Sequence, residues 1–189
     1  MKNVLRRILS AAAAVAAALL PYAAIARDAD TPWWHPDGLL LQAGGGKHVQ
    51  SAAAGLVWDT GWRRDYASGT FSSYIEADIG EWRTSGRADD RTFSQFGVTP
   101  MLRFHPRAMG SGWFVEAGIG ANAISPVYRN GDKRFSTVFN FGDRVGVGRR
   151  FGERRAHEIT LRVEHFSNCS IKSPNPGENF IQVRYARRF

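Results

Sequence analysis

Residues 157–168 read HEITLRVEHFSN. Ile159, Leu161 and Val163 fall on one parity, and Glu158, Thr160, Arg162 and Glu164 on the other. A period of two is the mark of a β-strand whose faces meet different surroundings. Here one face is aliphatic and the other carries charges of both signs. Continuing the parity puts His165 and Ser167 on the aliphatic face. Two questions follow: which face looks outward, and what a base and a hydroxyl do among aliphatic side chains.

The same alternation recurs along the chain. GTFSSYIEADIGEW (69–82) opposes Phe71, Ile75 and Ile79 to Tyr74, Glu76 and Asp78. GWFVEAGIGAN (112–122) opposes Trp113, Val115, Ala117 and Ile119 to Glu116, Gly118 and Asn122. FNFGDRVGVGRRF (139–151) groups Phe139, Phe141, Val145 and Val147 against Asn140 and Arg144. Eight such segments are predicted, at 38–48, 51–62, 69–83, 91–106, 112–124, 135–151, 157–168 and 179–189. Turn-rich stretches such as YASG, HPRAMGSG and YRNGDKR separate them. Most exceed the roughly 9–11 residues a tilted strand needs to cross a bilayer.

Eight alternating strands close either into a soluble barrel with an apolar interior or into a membrane barrel with an apolar exterior. The second fits better. Glu76, Asp78, Glu116, Arg144, Glu158, Arg162, Glu164 and Arg184 can pair inside a narrow lumen. Aromatic residues near segment ends, Trp33, Trp34, Trp62, Trp82, Phe104 and Trp113, suit interfacial girdles. The last segment, FIQVRYARRF, aligns Ile181, Val183, Tyr185 and the terminal Phe189. That ending resembles the signal read by bacterial outer-membrane assembly machinery. The expected fold is all-β: an eight-stranded antiparallel transmembrane β-barrel of the outer membrane.

The first 26 of the 189 residues are set apart. MKNVLRRILS is basic, an Ala-rich apolar run follows, and Ala24-Ile25-Ala26 is a small-x-small cleavage pattern. Residues 1–26 are therefore predicted to be a signal peptide and 27–189 a single barrel domain. Removing the leader takes away Lys2, Arg6 and Arg7 and lowers the formal net charge from +8 to +5. Export argues against a nucleic-acid partner; anionic lipid or lipopolysaccharide is the expected one. The single cysteine, Cys169, excludes an internal disulfide. No zinc or calcium spacing is present, so no metal or cofactor is called for.

A polar group facing lipid is costly and often functional. His165 and Ser167 lie about 7 Å apart along a strand, and an imidazole that takes a serine proton yields a nucleophile. The wider stretch HFSNCSIKSPNPGENF resembles the signature of the PagL family of outer-membrane lipid A 3-O-deacylases. His165, Phe166, Ser167, Asn168, Lys172, Pro174, Asn175 and Gly177 carry the resemblance. FVEAGIGA (114–121) and NFGDRVGVG (140–148) resemble further family segments in the same order. The resemblance implies a serine esterase that removes the 3-hydroxyacyl chain at position 3 of lipid A, without a cofactor, and makes a homodimer possible. It implies Ser167 as nucleophile, His165 as general base and acid, and Asn168 with nearby backbone N–H groups as oxyanion hole.

The third member of the triad stays open. In the best-known member of that family a glutamate orients the histidine, and ungapped counting puts that position at Asn179. Asn179 shares parity with Ile181 and Val183, but it brings no charge. Its neighbour Glu178 follows NPG, where a turn or bulge could re-aim it; it is ranked first because a carboxylate stabilises imidazolium better. Asp143, on the lipid-side parity of the sixth segment, is ranked third. Lys172 could reach a lipid A phosphate, though a loop lysine is more often merely solvated. Pro174, Asn175, Pro176 and Gly177 read as loop-shaping, and Cys169 has no base beside it to make a thiolate. The competing functions are another membrane-lipid esterase or acyltransferase, and a non-catalytic structural barrel.

Overall fold

The computed structural model describes residues 32, 34–84 and 91–189. The predicted leader lies outside them. Among the described residues ten strands form: β1 (Gly38–Gly46), β2 (Val49–Tyr66), β3 (Gly69–Thr84), β4 (Thr92–Pro106), β5 (Trp113–Ser125), β6 (Arg129–Asn130), β7 (Lys133–Arg134), β8 (Phe139–Phe151), β9 (His157–Ser167) and β10 (Glu178–Arg188). Eight of them close in the order β1-β10-β9-β8-β5-β4-β3-β2, all pairs antiparallel. The short strands β6 and β7 make a separate hairpin within the β5–β8 connection. The eight predicted segments correspond to the eight barrel strands. Their ends differ by at most four residues, because turn geometry rather than alternation sets them.

The barrel is apolar outside and charged inside. Leu41, Ile79, Phe96, Val145, Leu161, Val163, Ile181 and Val183 are exposed, whereas Glu76, Arg103, Arg144, Glu158, Arg162, Glu164 and Arg184 are buried. That is the inverse of a soluble barrel and suits a wall standing in lipid. Inside, guanidiniums and carboxylates form one network. Arg162 reaches Glu76 at 2.8 Å and Glu116 at 2.7 Å. Arg103 joins Glu116 to Glu158, both at 2.8 Å. Arg144 meets Glu76, Asp78 and Glu164, and Arg184 meets Glu76 and Glu158. Each buried charge is thus neutralised by groups across the lumen, which offsets the several kcal/mol that its desolvation costs.

The two ends differ. At one end lie both strand termini of the closure, Gly38 and Arg188, with the brief turns after β2, β4 and β8. At the other end lie the longer connections 126–138 and 168–177. In outer-membrane barrels short turns face the periplasm and long loops the exterior. Beneath the long loops Val49, Trp82, Phe93, Ile124, Tyr128, Phe135, Phe166 and Phe180 form a buried stopper. Tyr128 and Phe135 come from the 126–138 connection, which is thereby anchored into the lumen. Trp82 does not join an interfacial girdle. It shares the parity of Glu76 and Asp78, turns inward and packs 4.6 Å from Phe180 and 4.8 Å from Phe166, centroid to centroid. Trp34 and Trp113 are exposed as a girdle requires.

Candidate active site

Three strands converge on one imidazole. In register, His165 of β9 is opposite Asp143 on β8 and Asn179 on β10. Outward parity therefore places all three side chains on one exterior patch. Ser167 follows on the same face, opposite Phe141, and is only 8 % exposed. Phe166 lies between them in sequence and is inserted into the stopper, so packing on the inner face fixes the strand that carries the outer pair.

Asn179 is the group that holds the imidazole. Its Oδ1 lies 2.7 Å from His165 Nδ1. A carboxamide oxygen can only accept, so Nδ1 carries the proton and Nε2 presents a lone pair. Gly177 confines the ring from a second side. It is buried at φ +68°, and a Cβ there would stand 2.6 Å from His165 Cε1 and 3.2 Å from Nε2. Only glycine both takes that backbone conformation and leaves room for the imidazole. Asp143 is close enough to His165 for the two to interact electrostatically.

Glu178, ranked first from the sequence, does not meet His165. The turn is completed at Gly177, and Glu178 is already paired opposite Phe166, so strict alternation sends it inward. It is buried at 1 % exposure. There it accepts from Tyr128 Oη at 2.8 Å and forms an ion pair with Lys133 of β7. Burial first, and then the Glu178 charge, push the Tyr128 phenol well up, so it remains a donor. This carboxylate fastens the 126–138 connection to the end of β10.

Asn168 is also differently employed from the expectation. Its side-chain Nδ2 donates to Ser136 Oγ at 2.9 Å and to the Lys172 carbonyl at 2.8 Å, with Thr137 Oγ1 at 3.3 Å. Both amide hydrogens are engaged and the residue is 1 % exposed, so this side chain has none to offer an oxyanion. It staples the two long loops together. Its backbone N–H donates to Asn175 Oδ1 at 3.0 Å, which brings the Asn175 carboxamide beside Ser167 with its amide nitrogen uncommitted among the described bonds. The next two residues, Cys169 (φ +52°) and Ser170 (φ +65°), are held in the left-handed region, a strain found where a site over-determines its backbone. Burial first, and then Asp143, push the Cys169 thiol up, which keeps it protonated near neutrality. Lys172 is exposed; its carbonyl serves the staple, and its ammonium has no protein partner among the described residues.

Sequence reasoning missed Ser136, Thr137, Tyr128 and Lys133, and read Asn175 only as loop-shaping. Asn175 between two prolines was a legible hint of a fixed carboxamide. The others act across 31 to 50 residues of chain and leave no local pattern. Close to Asn179 the outer wall is carved by small residues. Ala43, Gly44, Gly45 and Gly46 of β1 with Ala52 of β2 line a recess of about 690 Å³, which Glu81 and Arg83 edge.

Known proteins resemble this chain over most of its length. The family model described as "Lipid A 3-O-deacylase (PagL)" matches residues 50–188. A protein of Bordetella bronchiseptica named "Lipid A deacylase PagL" is 32 % identical over 154 residues, covering 80 % of this chain and 83 % of that protein. A protein of the same name from Pseudomonas aeruginosa is 29 % identical over 134 residues, covering 69 % and 73 %. The "Crystal structure of the outer membrane enzyme PagL" superposes with a TM-score of 0.68 at 25 % identity, covering 80 % of this chain and 99 % of that one.

Proposed function

We propose a mechanism for this chain, which belongs to the lipid A 3-O-deacylase (PagL) family, in which Ser167, His165 and Asn179 cleave an ester of lipid A at the outer face of the barrel. The chain is an ester hydrolase, a lipid A 3-O-deacylase of the outer membrane. The finer reading rests on one observation, the 2.7 Å contact from Asn179 Oδ1 to His165 Nδ1 on the lipid-side patch that also bears Ser167.

Asn179 keeps the proton on Nδ1, so Nε2 acts as base. It takes the Ser167 hydroxyl proton as Oγ attacks the carbonyl carbon of the ester at position 3 of lipid A. The tetrahedral intermediate collapses to an acyl-serine. The imidazolium returns its proton to the departing sugar oxygen, and the 3-hydroxyl is released. Water, deprotonated by the same Nε2, then hydrolyses the acyl-serine and frees the 3-hydroxy fatty acid. Two jobs that one carboxylate performs in a Ser-His-acid triad are divided here. Asn179 orients the ring, and Asp143, on the other side of His165, supplies the negative charge that stabilises imidazolium. We assign the oxyanion donors to the 168–177 loop, with Asn175 Nδ2 as the side-chain donor in place of Asn168. The recess lined by Ala43, Gly45 and Ala52 suits an acyl chain lying along the wall.

Expression of the full chain in a bacterium of known lipid A composition, followed by mass spectrometry, tests the reaction. Loss of a single 3-hydroxyacyl chain is expected, with at least ~10³-fold less product from Ser167→Ala at equal amounts of inserted barrel. A gain in mass would indicate an acyltransferase. Unchanged lipid A in correctly inserted wild type would overturn the reading.

A further inference from the structure

The short-turn end, opposite the catalytic patch, carries a second feature that the deacylation chemistry does not use. A recess of about 350 Å³ opens at this mouth of the barrel, and four guanidiniums line it: Arg63, Arg107, Arg150 and Arg155. His105 and Trp113 complete its wall. The arginines come from different elements. Arg63 follows the register shift in β2, Arg107 opens the turn after β4, Arg150 is the penultimate residue of β8, and Arg155 lies in the turn before β9.

The carboxylates near this mouth do not balance them. Asp65 faces Arg63 at 3.6 Å, with both side chains mostly exposed. Glu158 accepts from Arg150 at 2.9 Å, but it is shared with Arg103, Arg184 and Arg188. Neither Arg107 nor Arg155 has a carboxylate at ion-pair distance among the described residues. Arg154 and Arg155 are moreover held at φ +51° and +55°, a conformation that L side chains rarely adopt. Backbone strain that persists at a cluster of like charges points to a ligand clamp. Planar guanidiniums arriving from several directions match the tetrahedral oxygens of a phosphate group. Trp113, exposed on the outer wall with Arg149 5.7 Å over its ring, puts the rim of the recess at the level of the lipid headgroups.

We propose that this arginine-lined mouth binds a phosphate group, either the phosphodiester of a phospholipid headgroup in the periplasm-facing leaflet or free phosphate. Calorimetric titration of the full chain in an uncharged detergent separates the two. The probes are dihexanoyl-phosphatidylglycerol, its phosphate-free counterpart dihexanoylglycerol, and inorganic phosphate. Wild type binds the phosphatidylglycerol and not the diacylglycerol. The Arg107→Ser, Arg155→Gly double variant loses about tenfold or more in affinity, the equivalent of one charge-assisted hydrogen bond or more. Glycine suits the φ at position 155, and unheated gel mobility verifies folding. Arg107→Gln alone serves if the double variant fails to fold. Lipid A deacylation stays at the wild-type rate in each folded variant. Phosphatidylglycerol binding that inorganic phosphate matches only weakly identifies the headgroup as ligand; comparable affinity for inorganic phosphate identifies free phosphate. Equal binding by wild type and variant, or equally tight binding of the diacylglycerol, overturns the proposal.

Discussion

Along β9 and β10 the inner and outer faces use polar groups in opposite ways. The inner face carries Glu158, Arg162, Glu164, Glu178 and Arg184, and each is held by counter-charges across the lumen or from the loop above it. The outer face carries His165, Ser167 and Asn179 among Ile159, Leu161, Val163, Ile181 and Val183. Inside, the charged side chains are spent on closure, and the pairs stabilise one arrangement of the barrel. Outside, the imidazole has one nitrogen committed to a neutral amide and one left for chemistry. On the mechanism proposed above, charge density is a poor guide to the working face of this wall, because the reaction belongs to the face with fewer polar groups.

That contrast can be broken most severely from within. Arg162→Met strips the cation from Glu76 and Glu116 and leaves buried carboxylates under-compensated. A loss of about 3–5 kcal/mol is expected, read by urea unfolding of protein refolded into vesicles, with little change in deacylation per folded molecule. A variant as stable as wild type would mean that the lumen network is redundant. Next is the outer face. Asn179→Ala frees the ring and lowers kcat by about 10- to 100-fold, in the range for general acid–base assistance. Asn179→Asp, which restores a carboxylate, holds at least the wild-type rate. Asp143→Asn costs about tenfold through the imidazolium charge alone. If the aspartate at 179 proves worse than alanine, the orienting role is wrong.

A smaller effect lies at the boundary of the two faces. Lys133→Met leaves Glu178 with Tyr128 as its main partner and destabilises the 126–138 connection by about 1–3 kcal/mol. Adding Glu178→Gln recovers part of that loss in a double-mutant cycle. Simple additivity would show that the pair is not coupled. Smallest is Cys169→Ser, which stays within about twofold of wild-type activity. Because burial and Asp143 raise this thiol's pKa, alkylation is slow at neutral pH and accelerates only in more alkaline solution than an ordinary cysteine needs. Rapid neutral labelling would contradict the environment described for it.

Parity carried most of what could be read in advance. It delivered all eight barrel strands, the charged lumen, and His165 with Ser167 on the outer face, since a pleated chain has only two sides. The same rule already favoured Asn179 over Glu178 and put Trp82 beside Glu76. Preferring the carboxylate for its charge, and the tryptophan for its aromatic girdle chemistry, set residue type above geometry. The partners of the Asn168 side chain were illegible for another reason. Its partners Ser136 and Thr137 lie 32 and 31 residues away, and only the closed barrel brings the two loops together. The register that flanks His165 with Asp143 is likewise a property of neighbouring strands, not of any one segment.

The aromatic stopper has a kinetic consequence. With Trp82, Phe93, Phe166 and Phe180 filling the lumen beneath the loops, substrate does not arrive through the barrel. With the reaction at the outer wall, as proposed, it arrives sideways, by diffusion in the plane of the leaflet. Turnover then follows the surface mole fraction of lipid A, and inert lipid added to the same membrane slows the enzyme even when bulk concentration is unchanged.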